Sequence, residues 1–410
     1  MRRLTPYLLL AVLMLGTGAA AGLGLSGAPS RSGPGPQSAR DLPTATVSTQ
    51  PPARLYLQSF AFLNPNAGYG VFLKTGPRTN ACEYLIGRTD DGGARFSSLE
   101  SVTSWSCNNA QPLASSLAFD AHGDGFFFDP ALFVTHNGGR SWMRDHQPET
   151  VLSVQARGDS VWMLEADCPR SGQTALCPLS LLESDDGGVS WYPPLSPPPA
   201  SAFRGTQFPG QSWLVRTGQS SAYVVSVPPD GVGHSDNTFA FWFTANGGAT
   251  WDPGQIPCGI LAYSVALAAA PDGTLMAICA GGPAVGSQAK AVSRSEDGGA
   301  NWVVYPGCNW QDQNCGNSPP TAIDSGYLGT TSVGVVSATT TFLQSGNVFL
   351  LVTHDGGADW QPVGANVGDG DSGPSQVSFF NPSDGLVLGN GTLWKTSDGG
   401  IDWSSVVPEP

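Results

Sequence analysis

The chain has 410 residues, a formal net charge of −14 and only 12% charged residues. Gly (53) and Pro (34) are abundant, which favours turns and short elements over long helices. The acidity excludes a nucleic-acid binder, because phosphate contacts need clustered Lys and Arg, and Lys74, Lys290 and Lys395 are the only lysines.

In chain order, residues 1–25 read as a secretory signal. Arg2 and Arg3 precede the apolar run Tyr7 to Leu15, and small residues follow through Ala19, Ala20 and Ala21. The rival is an uncleaved anchor reaching Leu25, through which alone the chain would meet a membrane; the glycines of its second half weaken that reading. Residues 26–53 are rich in Pro, Ser and Gly and read as a disordered linker. An exported, secreted or cell-surface chain is the expectation.

From residue 54 to 410 the sequence repeats. Segments such as FAFLNPNAGYGVFL (Phe60 to Leu73), LAFDAHGDGFFF (Leu117 to Phe128) and VSFFNPSDGLVLG (Val377 to Gly389) place a polar turn between two apolar stretches, the pattern of a β-hairpin. A second hairpin follows, centred on a box of the form S/T-x-D/N-G-G-x-x-W/F. The seven copies begin at Thr89, Thr135, Ser184, Thr244, Ser295, Thr353 and Thr396. Their third positions are Asp91, Asn137, Asp186, Asn246, Asp297, Asp355 and Asp398. Their last are Phe96, Trp142, Trp191, Trp251, Trp302, Trp360 and Trp403. Two hairpins per interval of about 50 residues make one four-stranded blade of a β-propeller. The fold class is therefore all-β, a single seven-bladed propeller with one box per blade.

The chemistry of the box is that of a turn. Paired glycines supply positive φ, the acid accepts N–H bonds, and the aromatic packs on a neighbouring strand. Asn137 and Asn246 replace the acid in two copies. An amide accepts hydrogen bonds but serves neither as a general base nor as a good calcium ligand, so the box is structural rather than catalytic. The second box position, His136 and His354 included, should be exposed.

Eight cysteines lie beyond the signal: Cys82, Cys107, Cys168, Cys177, Cys258, Cys279, Cys308 and Cys315. An even count in an exported chain reads as disulfides, with 82/107, 168/177, 258/279 and 308/315 as the expected couples. Zinc fails on spacing. Asp369 to Gly373 resembles a loose calcium loop but reads as a solvated link. Trp310, within the 308–315 loop, is a possible recognition aromatic; the other reading is that it covers the neighbouring blade. From Thr217 onward three basic residues face sixteen acidic ones, so most of the negative field sits on the second half.

These boxes resemble the Asp-box, or BNR, repeat of sialidase-like propellers, in which the box links the third and fourth strands of a blade. In style the chain is similar to photosystem II assembly-factor-like and sortilin-type propellers, which implies binding of proteins or peptides. The resemblance to sialidases would imply an Arg-Ile-Pro motif, an arginine triad and a Tyr–Glu pair. The nearest text is FRGT (Phe203 to Thr206), and the spacing of the arginines picks out no three. The reading is a monomeric, non-catalytic binder of a protein or glycan at a propeller face, with no cofactor or metal. The alternative is a sialidase-type glycoside hydrolase.

Overall fold

A computed structural model describes residues 54–406 except 76–80, 108–115, 129–130, 146–149, 167–178, 195, 197, 199–212, 226–237, 261, 271, 285–286, 306–324, 327–331, 345–349, 364–366, 368–373 and 390. Seven antiparallel sheets follow one another, each built from consecutive strands. They form blades 1 (54–106), 2 (116–144), 3 (150–184), 4 (213–257), 5 (262–305), 6 (332–362) and 7 (374–406). The first strand of each blade packs beside the first strands of its two neighbours, and the last blade returns to the first, so the seven close into a ring. Those inner strands are Arg54–Phe62, Ser116–Phe119, Thr150–Arg157, Trp213–Arg216, Ala262–Ala269, Ser332–Val335 and Pro374–Phe379. No helix among the described residues is long and apolar enough to cross a membrane.

Two blades depart from four strands. In blade 3 the outer strand is reduced to one bridge, Glu183 with Tyr192. Pro193 and Pro194 follow Tyr192, and proline has no N–H with which to extend a ladder. Blade 5 gains a short extra strand, Ser325–Gly326, on the edge of Ser287–Ser295. Two disulfides are described. Cys82 bonds Cys107 across the outer half of blade 1, and Cys258, in the link before blade 5, bonds Cys279 in that blade's second strand. Cys168, Cys177, Cys308 and Cys315 lie outside the described residues.

Each box occupies the turn after the third strand of its blade. All fourteen box glycines have positive φ, for example +75° at Gly399 and +88° at Gly400, a region that only glycine enters without strain. The hub of the turn is the Ser or Thr hydroxyl at the first position. In the last box Thr396 Oγ1 donates to Asp398 Oδ1 at 2.8 Å and accepts the Gly400 N–H at 2.8 Å. The hydroxyl makes the same two bonds in every other box: Thr89, Thr135, Ser184, Thr244, Ser295 and Thr353. The third residue then accepts the N–H of the seventh, whether it is an acid, as in Asp91 with Arg95, or an amide, as in Asn137 with Ser141. The first glycine N–H of four boxes reaches back to the turn between the first two strands, as Gly92 does to the Asn66 carbonyl at 2.7 Å. Those turns and the boxes therefore share one face of the ring.

The boxes also join the blades. The second glycine lies against a side chain of the preceding blade: Gly139 on Tyr69, Gly188 on Phe126, Gly299 on Phe241, Gly400 on Phe342. The box tryptophans pack on the same aromatics, with ring centroids 6.0 Å apart for Phe126 and Trp191 and 5.9 Å for Phe342 and Trp403. A side chain at the second glycine would drive the blades apart, which gives that glycine a packing role beside its conformational one.

Among the described residues no strand crosses from blade 7 to blade 1. The ring is closed by side chains: Leu386, Leu388 and Leu393 of blade 7 pack with Leu57, Phe60 and Phe72 of blade 1. One amide completes the junction. Gln376 Nε2 donates to the Phe60 carbonyl at 2.9 Å, and its Oε1 accepts the Phe60 N–H at 3.1 Å and the Ser59 hydroxyl at 3.2 Å. A side chain here does what a ladder partner does elsewhere.

Replacing Gln376 by Leu leaves both backbone groups of buried Phe60 unpaired, and a denaturant melt should show a loss of about 1–3 kcal/mol. A melt unchanged by Gln376→Leu would show that the closure is apolar alone. In the boxes, Thr353→Val removes the hydroxyl under the Gly357 N–H and should cost about 1–3 kcal/mol. Asp355→Asn should stay within about 0.5 kcal/mol, as befits a position filled by an amide elsewhere. If Asn cost as much as Val, the charge rather than the acceptor would be what the turn requires.

Candidate functional site

The box residues are not brought together. They stand one per blade around the rim, with their carboxylates committed to turn N–H groups. Ser190 hydroxyl and N–H hold Asp186 down to about 2, and the N–H and amide of Asn301 do the same for Asp297. Such groups are ionised at neutral pH and their oxygens are already engaged, which suits neither a general acid nor a general base. The seventh position adapts to the third. Where the third is Asn, its amide donates to a hydroxyl, Asn137 to Ser141 at 2.7 Å and Asn246 to Thr250 at 2.9 Å. His136 and His354 are exposed. Trp310 and the 369–373 loop lie outside the described residues.

The tryptophans divide into two groups. Trp302, Trp360 and Trp403 donate their indole N–H to the carbonyl of the second box glycine at 3.0–3.1 Å. The buried indole N–H groups of Trp142, Trp191 and Trp251 have no partner among the described residues.

The largest described hollow lies on the ring axis. It has a volume of about 680 Å³ and is walled by the inner strands of six blades. That size accommodates a peptide segment or a short oligosaccharide. Its polar groups are amides and hydroxyls, Gln58, Gln155, Ser116 and Ser153, together with Gln376 and Ser59, which are already engaged in closing the ring. Its apolar side includes Trp213, Leu152, Leu214, Leu267 and Phe62. Among the described lining residues there is one charge, Arg157, and no carboxylate, histidine or tyrosine.

Arg157 ends the inner strand of blade 3, just before the turn at Gly158, so it sits toward the box-bearing mouth of the hollow. Its Nη1 donates to the neighbouring Ala156 carbonyl at 3.1 Å, and no described carboxylate pairs with it. Arg157 is exposed to the hollow, and the protein around it pulls its pKa below the ordinary arginine value. A cation so placed gains from any anion that enters.

A second arginine, Arg216, is fully buried at the corresponding end of the blade 4 inner strand and acts as a clamp. Its Nη1 donates to the Ser160 carbonyl of blade 3 at 2.7 Å, Nη2 bonds the Gln219 carbonyl, and the guanidinium lies 4.7 Å from the centre of the Trp162 ring. Burial, then the nearby Arg157, lowers it to about 10, so it remains charged at neutral pH. Beside it, burial and the Asp185 carboxylate push Glu183 up to about 7, partly offset by Arg216. This group sits at the rim between blades 3 and 4, not on the axis.

The remaining described arginines do not converge on the axis. Arg88 pairs with Asp90 at 2.9 Å, and Arg140 and Arg144 are exposed on the rim. Arg78, Arg170 and Arg204 lie outside the described residues. No cluster of three arginines with a tyrosine and a glutamate occurs among the described residues. Nothing in the sequence marked Arg157 or Trp213 as axial. The available signal was their place on the strand that opens each blade, which a propeller turns toward its axis.

No family model matches the chain, and no curated protein matches it. Solved structures do. YCF48 bound to D1 peptide is 19% identical, with 85% of this chain and 95% of that one aligned, at a TM-score of 0.49. YCF48 from Cyanidioschyzon merolae is 17% identical over 73% of this chain and 88% of that one, at 0.44. Trypanosoma rangeli sialidase in complex with 2,3-difluorosialic acid is 15% identical over 68% and 52%, at 0.37. At these values the likeness is one of fold and does not extend to a ligand.

Proposed function

We propose that the protein is an extracytoplasmic, non-catalytic binding scaffold whose axial hollow receives an extended peptide segment bearing a carboxylate. The observation that carries this reading is the combination inside the hollow: one unpaired arginine, a set of side-chain amides, and apolar walls that include a tryptophan. Amides suit the N–H and C=O groups of a peptide backbone. The apolar side suits a side chain, and Arg157 suits an acid or a chain end. A sialidase-type site needs an arginine triad and a Tyr–Glu pair, and the described lining offers one arginine, no tyrosine and no carboxylate. The two disulfides agree with an oxidising compartment, where such a scaffold would meet its partner outside the cytoplasm.

The test is a screen of the whole protein against a peptide array and a glycan array, followed by Arg157→Gln and Trp213→Ala. Carboxylate-bearing peptides should be retained, and Arg157→Gln should weaken them about 10- to 100-fold with an unchanged melting curve, the loss typical of one charge-assisted contact in an enclosed site. Retention of glycans alone, or turnover of a sialoside substrate, would reject the reading.

A further inference from the structure

A second site lies off the axis, on the box-bearing rim between blades 1 and 2. It is independent of the axial reading. Around the rim, the residue just before each box reaches toward the box of the next blade: Lys395 contacts the blade 1 box at Gly92, Arg294 the blade 6 box at Gly356, and Glu183 the blade 4 box at Gly248. At the blade 1–blade 2 junction the sixth residue of the next box, Arg140, lines the same hollow as Arg88. Reading the seven junctions in turn pairs Arg88 with Arg140, Val134 with Val189, Glu183 with Ala249, Phe243 with Ala300, Arg294 with Ala358, Val352 with Ile401, and Lys395 with Ala94. Only the first of these brings two cations together, in a chain whose net charge is −14.

A hollow of about 220 Å³ occupies that junction, and both arginines line it. Arg88 is held in place by Asp90, which accepts from Nε at 3.3 Å and Nη2 at 2.9 Å and leaves Nη1 uncommitted. Arg140 is exposed and makes no ion pair among the described residues. Tyr69 forms the floor. Its ring is buried and stacked on Phe119 at 3.7 Å, and its hydroxyl comes up beside Gly138. Burial keeps that phenol neutral, while Arg88 and Arg140 both lie close enough to oppose the shift.

The fourth wall is unusual backbone. The ladder between Ala81–Thr89 and Ser97–Ser106 skips register between Ile86 and Arg88, so a bulge projects Ser98 into the hollow. Ser98 has φ +52°, the one non-glycine in the left-handed region among the described residues. Bulges and strained residues of this kind gather at binding sites, where they aim a side chain that regular strand would point away.

We infer that this junction is a binding site for a carboxylate group. Two guanidiniums and one carboxylate leave a net charge of +1, which a carboxylate balances and a dianionic phosphate over-compensates. The fork of Arg140 and the remaining nitrogen of Arg88 match the two oxygens of a planar acid, with Tyr69 and Ser98 as neutral donors. The hollow has the capacity for one residue of a ligand. Two sources of the group are a uronic acid and an acidic peptide side chain.

The experiment titrates the full-length protein with sodium galacturonate, N-acetylglutamate amide and inorganic phosphate, following protein amide chemical shifts. Either carboxylate should move signals around Gly138, Arg140 and Ser98, and the tighter of the two identifies the source. Arg140→Gln should weaken that ligand about tenfold with an unchanged melting temperature. Arg140→Lys should recover part of the affinity, because the charge returns without the fork. Arg144→Gln, exposed on the same blade but outside the hollow, should change nothing. The inference is overturned if neither carboxylate binds, if Arg140→Gln binds as the parent does, or if phosphate is preferred to both.

Discussion

The ring depends on a buried hydroxyl. In each blade a buried Ser or Thr at the end of the third strand donates to one side chain and accepts from one glycine N–H. Both bonds stay within the box, so each blade can set its own turn without reference to the rest of the ring. The turn in turn fixes where the second glycine lies, and that glycine is the surface on which the preceding blade rests. A local bond of about 1 kcal/mol therefore governs a long-range contact. The same hub explains why Asp and Asn interchange. The hydroxyl needs an oxygen acceptor, the seventh N–H needs the same oxygen, and neither needs a charge.

Because the turns hold themselves, the faces and axis are free to vary. The seven boxes share one turn and are flanked by different residues, from Val134 and Val189 to Arg88 and Arg140. The axis shows the same freedom. Inner strands are short and their inward side chains are held by neighbours in the ladder, so Arg157, Trp213 and three glutamines project inward without disturbing the sheets. Arg216 shows the limit of that freedom. Its charge is tolerated in the interior because it meets backbone carbonyls and the face of Trp162, and it is spent on joining two blades rather than on a ligand.

Much of the fold was legible because it is periodic. Seven boxes at blade-length intervals disclose the blade number, and the apolar–turn–apolar segments disclose the first hairpin of the blades. What was not legible depends on contacts distant in sequence or on a local exception. Gln376 and Phe60 are more than three hundred residues apart, and a glutamine in PSQVSF looks like any other. The truncated edge of blade 3 was in view as Pro193 and Pro194, yet periodicity argued for a full strand. The axial residues were hidden for a different reason. A strand's alternation says which side chains are buried, but not which of two faces of a ring they serve. Arg88 and Arg140 were visible as rim residues, and only their convergence needed three dimensions.

The closure, which among the described residues involves no strand exchange, also sets how the molecule yields to force. Six junctions are spanned by the chain itself, whereas the one between blades 7 and 1 is held by side chains: an apolar cluster, the Gln376 amide and the Lys395 ammonium on the Pro65 carbonyl. Tension applied at the two ends of the propeller falls on that seam first. Parting it bares Leu386, Leu388 and Leu393 on one lip and Leu57 and Phe60 on the other, while each blade keeps its own ladder intact. The seam is thus the one place where the ring can part without breaking a ladder among the described strands.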